Sequence, residues 1–250
     1  MNAVAIIPAR YASTRFPGKP LVRETGKFLI QHVVEQVARA KRISEAIVAT
    51  DDPRIHDAVQ SFGGRSMMTR ADHPSGTDRV AEVAHQIDAD LILNVQGDEP
   101  ELEPGYIDQL VERMTADPEV SVGTLACPFS RDSDPRDPNV VKVVINSRGR
   151  ALYFSRSLIP YPRDAAGTPA DPTDWLLHIG IYAYRRDFLF ELAAMPPSRL
   201  EMMEKLEQLR VLDSGHSIAV TQVERAFPGI DTPQDYAEFV ARCAGRRLPR

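Results

Sequence analysis

Residues 6–21 read IIPARYASTRFPGKPL, and this stretch decides how the rest of the chain is read. The apolar run Ala3–Ala9 that leads into it has the make-up of a buried strand. The chain then enters a loop, residues 10–19, carrying Arg10, Arg15 and Lys19 and no acid. Ala12, Ser13 and Gly18 keep the loop small enough for backbone N–H groups to approach a ligand, and Pro17-Gly18 sets a turn that presents Lys19. Three like charges on one short loop repel one another unless an anion sits among them. A strand end, small residues and spaced cations together predict an anion-binding loop, with a solvated basic loop as the bland alternative. It is neither a GxxxxGK[ST] loop nor a GxGxxG fingerprint.

Outward from this loop, strand and helix signals alternate. Ile30, Val33, Val34 and Val37 recur at helical spacing, predicting a helix over 28–40. A strand follows over 45–51, then Asp52-Pro53 as cap and first turn of a helix with Ile55, Val59 and Phe62 inward and Gly63 at its end. Residues 65–69 read as a short strand, Val80, Val83, Ala84 and Ile87 as a helix face, and 90–98 (DLILNVQGD) as a strand covered on both faces. Pro104 opens another helix, and 121–129 is the next strand. This order predicts an α/β fold of three layers, a mostly parallel sheet with helices on both faces. Ligands in such folds sit at the carboxyl ends of the strands.

The alternation breaks after residue 130. Strands over 140–145 and 150–155 joined by Asn-Ser-Arg-Gly read as a hairpin, and 176–184 as a further strand, with a Pro-, Asp- and Gly-rich loop over 160–174 between them. Residues 131–185 are therefore expected to form a small antiparallel insertion, flanked by an α/β domain made of 1–130 and 186–250. Ser198 with Glu201 makes a capping box for a helix running to Leu212, 217–223 is a strand, and Thr232-Pro233 caps a last helix with Tyr236, Phe239, Val240 and Cys243 inward.

Composition limits the function. The 250 residues are 43% hydrophobic, ample for a buried core, and 35 acids against 30 bases give a net charge of −5. Such a chain is no general polyanion binder, so nucleic acid is not an expected partner, and any anion site depends on local placement of cations. Cys127 and Cys243 stand far apart, which fits a reducing cytoplasm better than a disulfide framework. No apolar stretch approaches the roughly 20 residues that span a bilayer, and the first apolar run ends at Pro8 with no basic residue before it, so neither membrane insertion nor export is expected.

Nine segments make a more specific likeness: PARYASTRFPGKPL (8–21), IVATDD (47–52), TRADHPSGTDR (69–79), NVQGDEP (94–100), NVVKVV (139–144), ALYFSRSLIP (151–160), HIGIYAYR (178–185), LEQLR (206–210) and PGIDTPQD (228–235). In that order, over nearly the whole chain, the sequence resembles the 3-deoxy-manno-octulosonate (Kdo) cytidylyltransferases. The resemblance implies a nucleotidyltransferase fold and a homodimer formed through the smaller subdomain. It also implies transfer of CMP from CTP to the anomeric hydroxyl of Kdo, with release of pyrophosphate, for lipopolysaccharide synthesis. Phe16, residues 222–225 and the 163–175 loop depart from the family pattern.

The resemblance also implies roles. Arg10 and Lys19 contact the phosphates, Arg15 assists, and Ala9 lies at the strand end beside them. Asp98 and Asp231 hold Mg²⁺, whose hard oxygen preference suits two carboxylates and phosphate oxygens. Asp231 alternatively favours the N-terminus of the helix that Thr232 caps. Ser75, Gly76, Thr77 and Arg79 face cytosine, with the bland alternative that Ser75 is an ordinary helix cap; His73 shapes that loop. Gln96 lies between base and sugar, and Arg156, His178, Tyr182, Glu207 and Gln208 line the sugar pocket. Tyr182 could equally be a core residue, and Glu207 and Gln208 an exposed polar face. Another CMP-sugar synthetase, for 8-amino-Kdo or a sialic acid, is the nearest alternative. A Gly-rich first loop marks the sialic-acid enzymes, and Tyr11-Ala12-Ser13-Thr14-Arg15 is not one. A catalytically idle binding module would have no reason to keep Arg10, Lys19, Asp98 and Asp231 together.

Overall fold

The computed structural model describes residues 1–12, 15–167 and 169–245. Ser13 and Thr14 of the expected anion loop, and Thr168 of the 160–174 loop, lie outside the described residues. Two compact units divide the chain: Met1–Asp108 with Phe227–Arg250, and Gln109–Ala226.

The first unit is built on four parallel strands, β1 (Ala3–Ala9), β2 (Glu45–Thr50), β3 (Arg65–Met68) and β4 (Leu91–Asn94), in the order β3-β2-β1-β4. Ala5 of β1 pairs with Ala46 on one side and Leu93 on the other. Consecutive residues Ala3 to Ile7 are all buried, so both faces of β1 are covered, as the unbroken apolar run requires. Helices α1 (Leu29–Val37), α2 (Pro53–Ser61) and α3 (Gly76–Ala84) connect the strands. Asp52 accepts from Arg54 N–H to start α2, with Pro53 at the first turn, as its sequence predicts. The strand expected over 90–98 stops at Asn94. Val95 still donates to Ile6 O, and residues 96–98 leave the sheet as a loop at its carboxyl edge.

The chain returns to the first unit with helix α8 (Pro233–Cys243), whose Tyr236 and Phe239 join Leu29 and Ile230 in one buried cluster. Phe16, Val22 and Val240 pack against it. Each fully buried side chain of this kind contributes about 1.5–3 kcal/mol, so α8 anchors both flanks of the loop that carries Lys19. Tyr236 Oη also accepts from Glu24 N–H at 2.8 Å. Cys243 is exposed, not inward as its spacing suggested, because the apolar cluster ends one turn before it.

In the second unit β5 (Val122–Pro128) lies between β8 (Leu176–Arg185), antiparallel, and β9 (Ile218–Gln222), parallel. The hairpin β6 (Lys142–Ile145) and β7 (Ala151–Ser155) forms as expected, and β6 also pairs with β8. The expected insertion, 131–185, lies inside this larger unit. A register shift interrupts β5–β8: Thr124 pairs with Tyr182 but Leu125 with Ile179. Thr124 Oγ1 bridges the shift by contacting Ile181 O at 2.8 Å and Ile179 O at 3.2 Å.

Helix α4 (Pro104–Ala116) carries the division between the units, and α5 (Arg186–Ala194) is a helix that the sequence reading missed. The helix expected from Ser198 to Leu212 is two. Its capping box forms as predicted, but α6 (Arg199–Glu204) ends at Lys205, whose φ of 55° is left-handed, and α7 (Gln208–Asp213) starts afresh. Glu207 and Gln208 therefore stand at the N-terminus of α7, not on a continuous helical face. No described helix is long and apolar enough to cross a membrane.

Candidate functional site

The loop after β1 closes on itself. Gly18 N–H donates to Tyr11 O at 3.0 Å and Leu21 N–H to Gly18 O at 2.9 Å. Gly18 has φ 72°, and a Cβ there would stand 3.2 Å from the Tyr11 ring. Only glycine meets both demands without strain. The Arg54 guanidinium lies over the Tyr11 ring, 3.4 Å from its centroid.

The acids come from distant segments. Ile230 N–H donates to Asp98 O at 2.9 Å, which ties the segment before α8 to the loop after β4. Lys19 Nζ donates to Asp98 Oδ2 at 2.8 Å and to Ile230 O at 2.7 Å, and lies 3.8 Å from Asp231 Oδ1. Arg15 Nη2 donates to the same Asp231 oxygen at 2.9 Å. The anion that the cationic loop requires is supplied, in this state, by two carboxylates of the chain itself. The N-terminus of α8 is capped by Thr232 and by Asp235, which accepts from Asp231 N–H and Thr232 N–H. The Asp231 carboxylate faces the cations instead.

These groups share one cavity of about 260 Å³. It is lined by Ala9 at the end of β1, Arg10, Arg15 and Lys19 from the first loop, Gln96 and Asp98 from the loop after β4, and Asp231. Gly97 lets the loop after β4 approach the end of β1: a Cβ there would stand 3.0 Å from Pro8 O. Glu99, which the sequence reading passed over, adjoins Asp98. Burial, and then the Asp98 carboxylate, push its carboxyl up to about 8. The signal was the acid pair Asp98-Glu99 in the loop that follows a buried strand.

Arg10 Nη2 donates to His73 O at 2.8 Å and Ser75 O at 3.0 Å. The first loop is thus joined to the N-terminus of α3, where Ser75 is the cap and accepts from Asp78 N–H. Buried His73 contacts Glu82 through Nε2, and Glu82 also accepts from Arg70 N–H, so residues 70–75 are held from behind. Gly76 and Thr77 begin the helix. The Arg79 side chain is fully buried, donating to Thr69 Oγ1 and standing 3.1 Å from Asp51 Oδ1. Its contacts fasten the ends of β2 and β3, and desolvation holds its pKa below the ordinary arginine value.

The expected sugar residues lie in the second unit. His178 Nε2 is 3.0 Å from Thr124 Oγ1, and its ring lies between Phe154 and Tyr182 at centroid distances of 4.9 and 5.5 Å. Burial holds this imidazole down to about 3, so it is neutral at physiological pH. Burial, then the Glu207 carboxylate, raise the Tyr182 phenol above its ordinary range. Gln208 is buried. Arg156 donates through Nε to Glu204 O at 2.8 Å and through Nη1 to Pro138 O at 2.9 Å.

Comparison with known proteins places this arrangement. A family model described as Cytidylyltransferase matches residues 4–218. The 3-deoxy-manno-octulosonate cytidylyltransferase of Syntrophotalea carbinolica is 52% identical over 250 residues, which are 98% of this chain and 100% of the relative. The Escherichia coli protein of that name is 49% identical, over 93% of this chain and 92% of its own length. The solved structure of a CMP:2-keto-3-deoxy-manno-octonic acid synthetase complexed with CTP superposes with a TM-score of 0.92. It is 47% identical and covers 98% of this chain and 99% of the other. A mostly parallel α/β fold, a cationic loop faced by two carboxylates, and half-identity over nearly full length agree: the chain belongs to the 3-deoxy-manno-octulosonate cytidylyltransferase family.

Proposed function

We propose that the chain transfers CMP from CTP to the anomeric hydroxyl of Kdo, giving CMP-Kdo and pyrophosphate for lipopolysaccharide synthesis in the cytoplasm. The observation that carries this reading is the convergence of Arg10, Arg15 and Lys19 with Asp98 and Asp231 on one cavity. Triphosphate transfer needs positioned cations for the charge that develops toward pyrophosphate, and little covalent chemistry from the protein. Arg10 and Lys19 bind the phosphates in this reading, with Arg15 beside them. Ser75, Gly76 and Thr77 receive the cytosine, Arg79, fully buried, fastens the ends of β2 and β3 instead of facing the base, and Gln96 separates base from sugar. Arg156, His178, Tyr182, Glu207 and Gln208 receive the sugar acid, the neutral imidazole and the phenol serving as hydrogen-bonding groups to hydroxyls.

Asp98 and Asp231 are hard oxygen donors within reach of one ammonium, a set that fits Mg²⁺. Among the described residues no group of three or more His, Cys, Asp or Glu could hold a metal, so phosphate and water oxygens would complete the shell. Bound there, Mg²⁺ supplies charge neutralisation at the α-phosphate and orientation of the sugar acid. Lys19 and Arg15 would then turn from the carboxylates to the phosphates. A homodimer through residues 131–185 completes the proposal, and sedimentation at micromolar concentration should give the mass of two chains.

The deciding experiment is Mg²⁺-dependent pyrophosphate release with CTP and Kdo, set against UTP, a sialic acid and 8-amino-Kdo. Turnover is expected with CTP and Kdo. Turnover with another pair alone would overturn the substrate assignment.

A further inference from the structure

The NVVKVV segment contains a lysine that the proposed chemistry does not use. Lys142 is fully buried on β6, and its Nζ donates to three main-chain carbonyls: Val140 O and Arg156 O at 2.6 Å and Asp137 O at 2.8 Å. A buried ammonium is costly unless its donors are all met, and these three carbonyls meet all three. Arg156 is gripped from its other side as well. The Glu204 carboxylate accepts from Arg156 N–H at 3.0 Å and from Ser155 Oγ at 2.7 Å, while the Arg156 side chain donates to Glu204 O and Pro138 O. Both main-chain polar groups of Arg156 are therefore occupied by charged side chains, and the 137–140 segment is held between Lys142 and the Arg156 guanidinium. Nη2 has only a long contact, 3.5 Å, to Lys205 O, and so is the guanidinium nitrogen least committed to the protein.

We infer that Lys142 and Glu204 are positioning residues for sugar-acid recognition: they fix the Arg156 main chain so that its guanidinium presents Nη2 to the carboxylate of the sugar acid. This rests on the reading of Arg156 as a sugar-binding residue. Neither Lys142 nor Glu204 needs to touch the substrate. Removing either should loosen the arginine and weaken the sugar acid while sparing the nucleotide.

The test is steady-state kinetics of Lys142→Met, Glu204→Gln and Arg156→Ala, together with the Lys142→Met/Arg156→Ala double variant. Each positioning variant should raise KM for Kdo about tenfold and leave kcat and the KM for CTP within about twofold, the pattern of lost binding that is uniform along the reaction. On the Arg156→Ala background, Lys142→Met should add nothing further to the KM for Kdo, because residues acting through one group are not additive. Glu204→Gln keeps the shape of its side chain and carries the test if Lys142→Met does not fold. If Arg156→Ala raises the KM for Kdo but both positioning variants leave it unchanged, or raise the KM for CTP equally, the inference is wrong. If Arg156→Ala itself leaves the KM for Kdo unchanged, the reading on which it rests fails first.

Discussion

The charged groups of the first unit and those of the second are held in opposite ways. In the first, Lys19 and Arg15 share two carboxylates, and the exposed end of the network is loose: the Arg15 and Asp231 side chains are 66% and 49% exposed. In the second, Lys142 is sealed by carbonyls and His178 is neutral between aromatic rings. Exposed ion pairs hold each other weakly, by about 0–1 kcal/mol, and exchange partners readily. Buried, satisfied polar groups do not. In the proposed function the first unit holds cations that pass from protein carboxylates to phosphates, the exposed Arg15 more readily than the part-buried Lys19. The second, in the proposed function, offers groups fixed in advance for the hydroxyls and the one carboxylate of a sugar acid.

That contrast can be broken or sharpened by substitution. The largest effect is expected at Asp98. Asp98→Asn should lower kcat by about a thousand-fold or more, several kcal/mol of transition-state stabilisation, with the circular dichroism spectrum unchanged. Retained turnover would place the metal elsewhere. Arg10→Ala should cost about a hundred-fold in kcat/KM, mostly through CTP, since a positioned cation at developing phosphate charge is removed. An unaltered nucleotide dependence would detach Arg10 from the phosphates.

His178 sharpens the other side. Its imidazole is held at about 3 in the folded chain against an ordinary 6.5, so the unfolded chain binds the proton more readily. Its contribution to stability is complete above pH 6.5 and is lost as pH falls from there toward about 3. The unfolding midpoint of His178→Gln should fall less than that of the wild type over this window. Parallel pH curves for the two would show that the imidazole is not buried as described. The smallest effect is expected at Thr232→Ala, which removes the cap of α8 and should cost about 1 kcal/mol in denaturant unfolding.

Much of this was legible in the chain. The apolar runs located β1, β2 and β5, and Asp52-Pro53, Ser198–Glu201 and Thr232-Pro233 located helix starts, because strand burial and capping are local properties. The break at Lys205 was not legible: a non-glycine residue in the left-handed region carries no sequence mark, and the leucine and methionine spacing runs straight across it. At the candidate site, the residue types and the need for a counter-charge could be read, but not which anion answers it. Asp98 lies 79 residues from Lys19, and Asp231 lies 216 residues from Arg15. The β-sheet, the Ile230–Asp98 hydrogen bond and the cluster of Leu29, Ile230, Tyr236 and Phe239 bring these segments together. Lys142 looked like one more strand residue, because three carbonyl partners leave no trace in a sequence.

The central claim is that the cations of the first loop exchange carboxylates for the triphosphate. Calorimetric titration of CTP, with Mg²⁺ present, into the wild-type chain and into Lys19→Met tests it most directly. The exchange predicts that Lys19→Met binds CTP about ten- to a hundred-fold more weakly, the loss of one charge-assisted contact to phosphate. Equal affinity for the two chains would mean that Lys19 serves only to pair Asp98, and the loop would not be where the triphosphate is held.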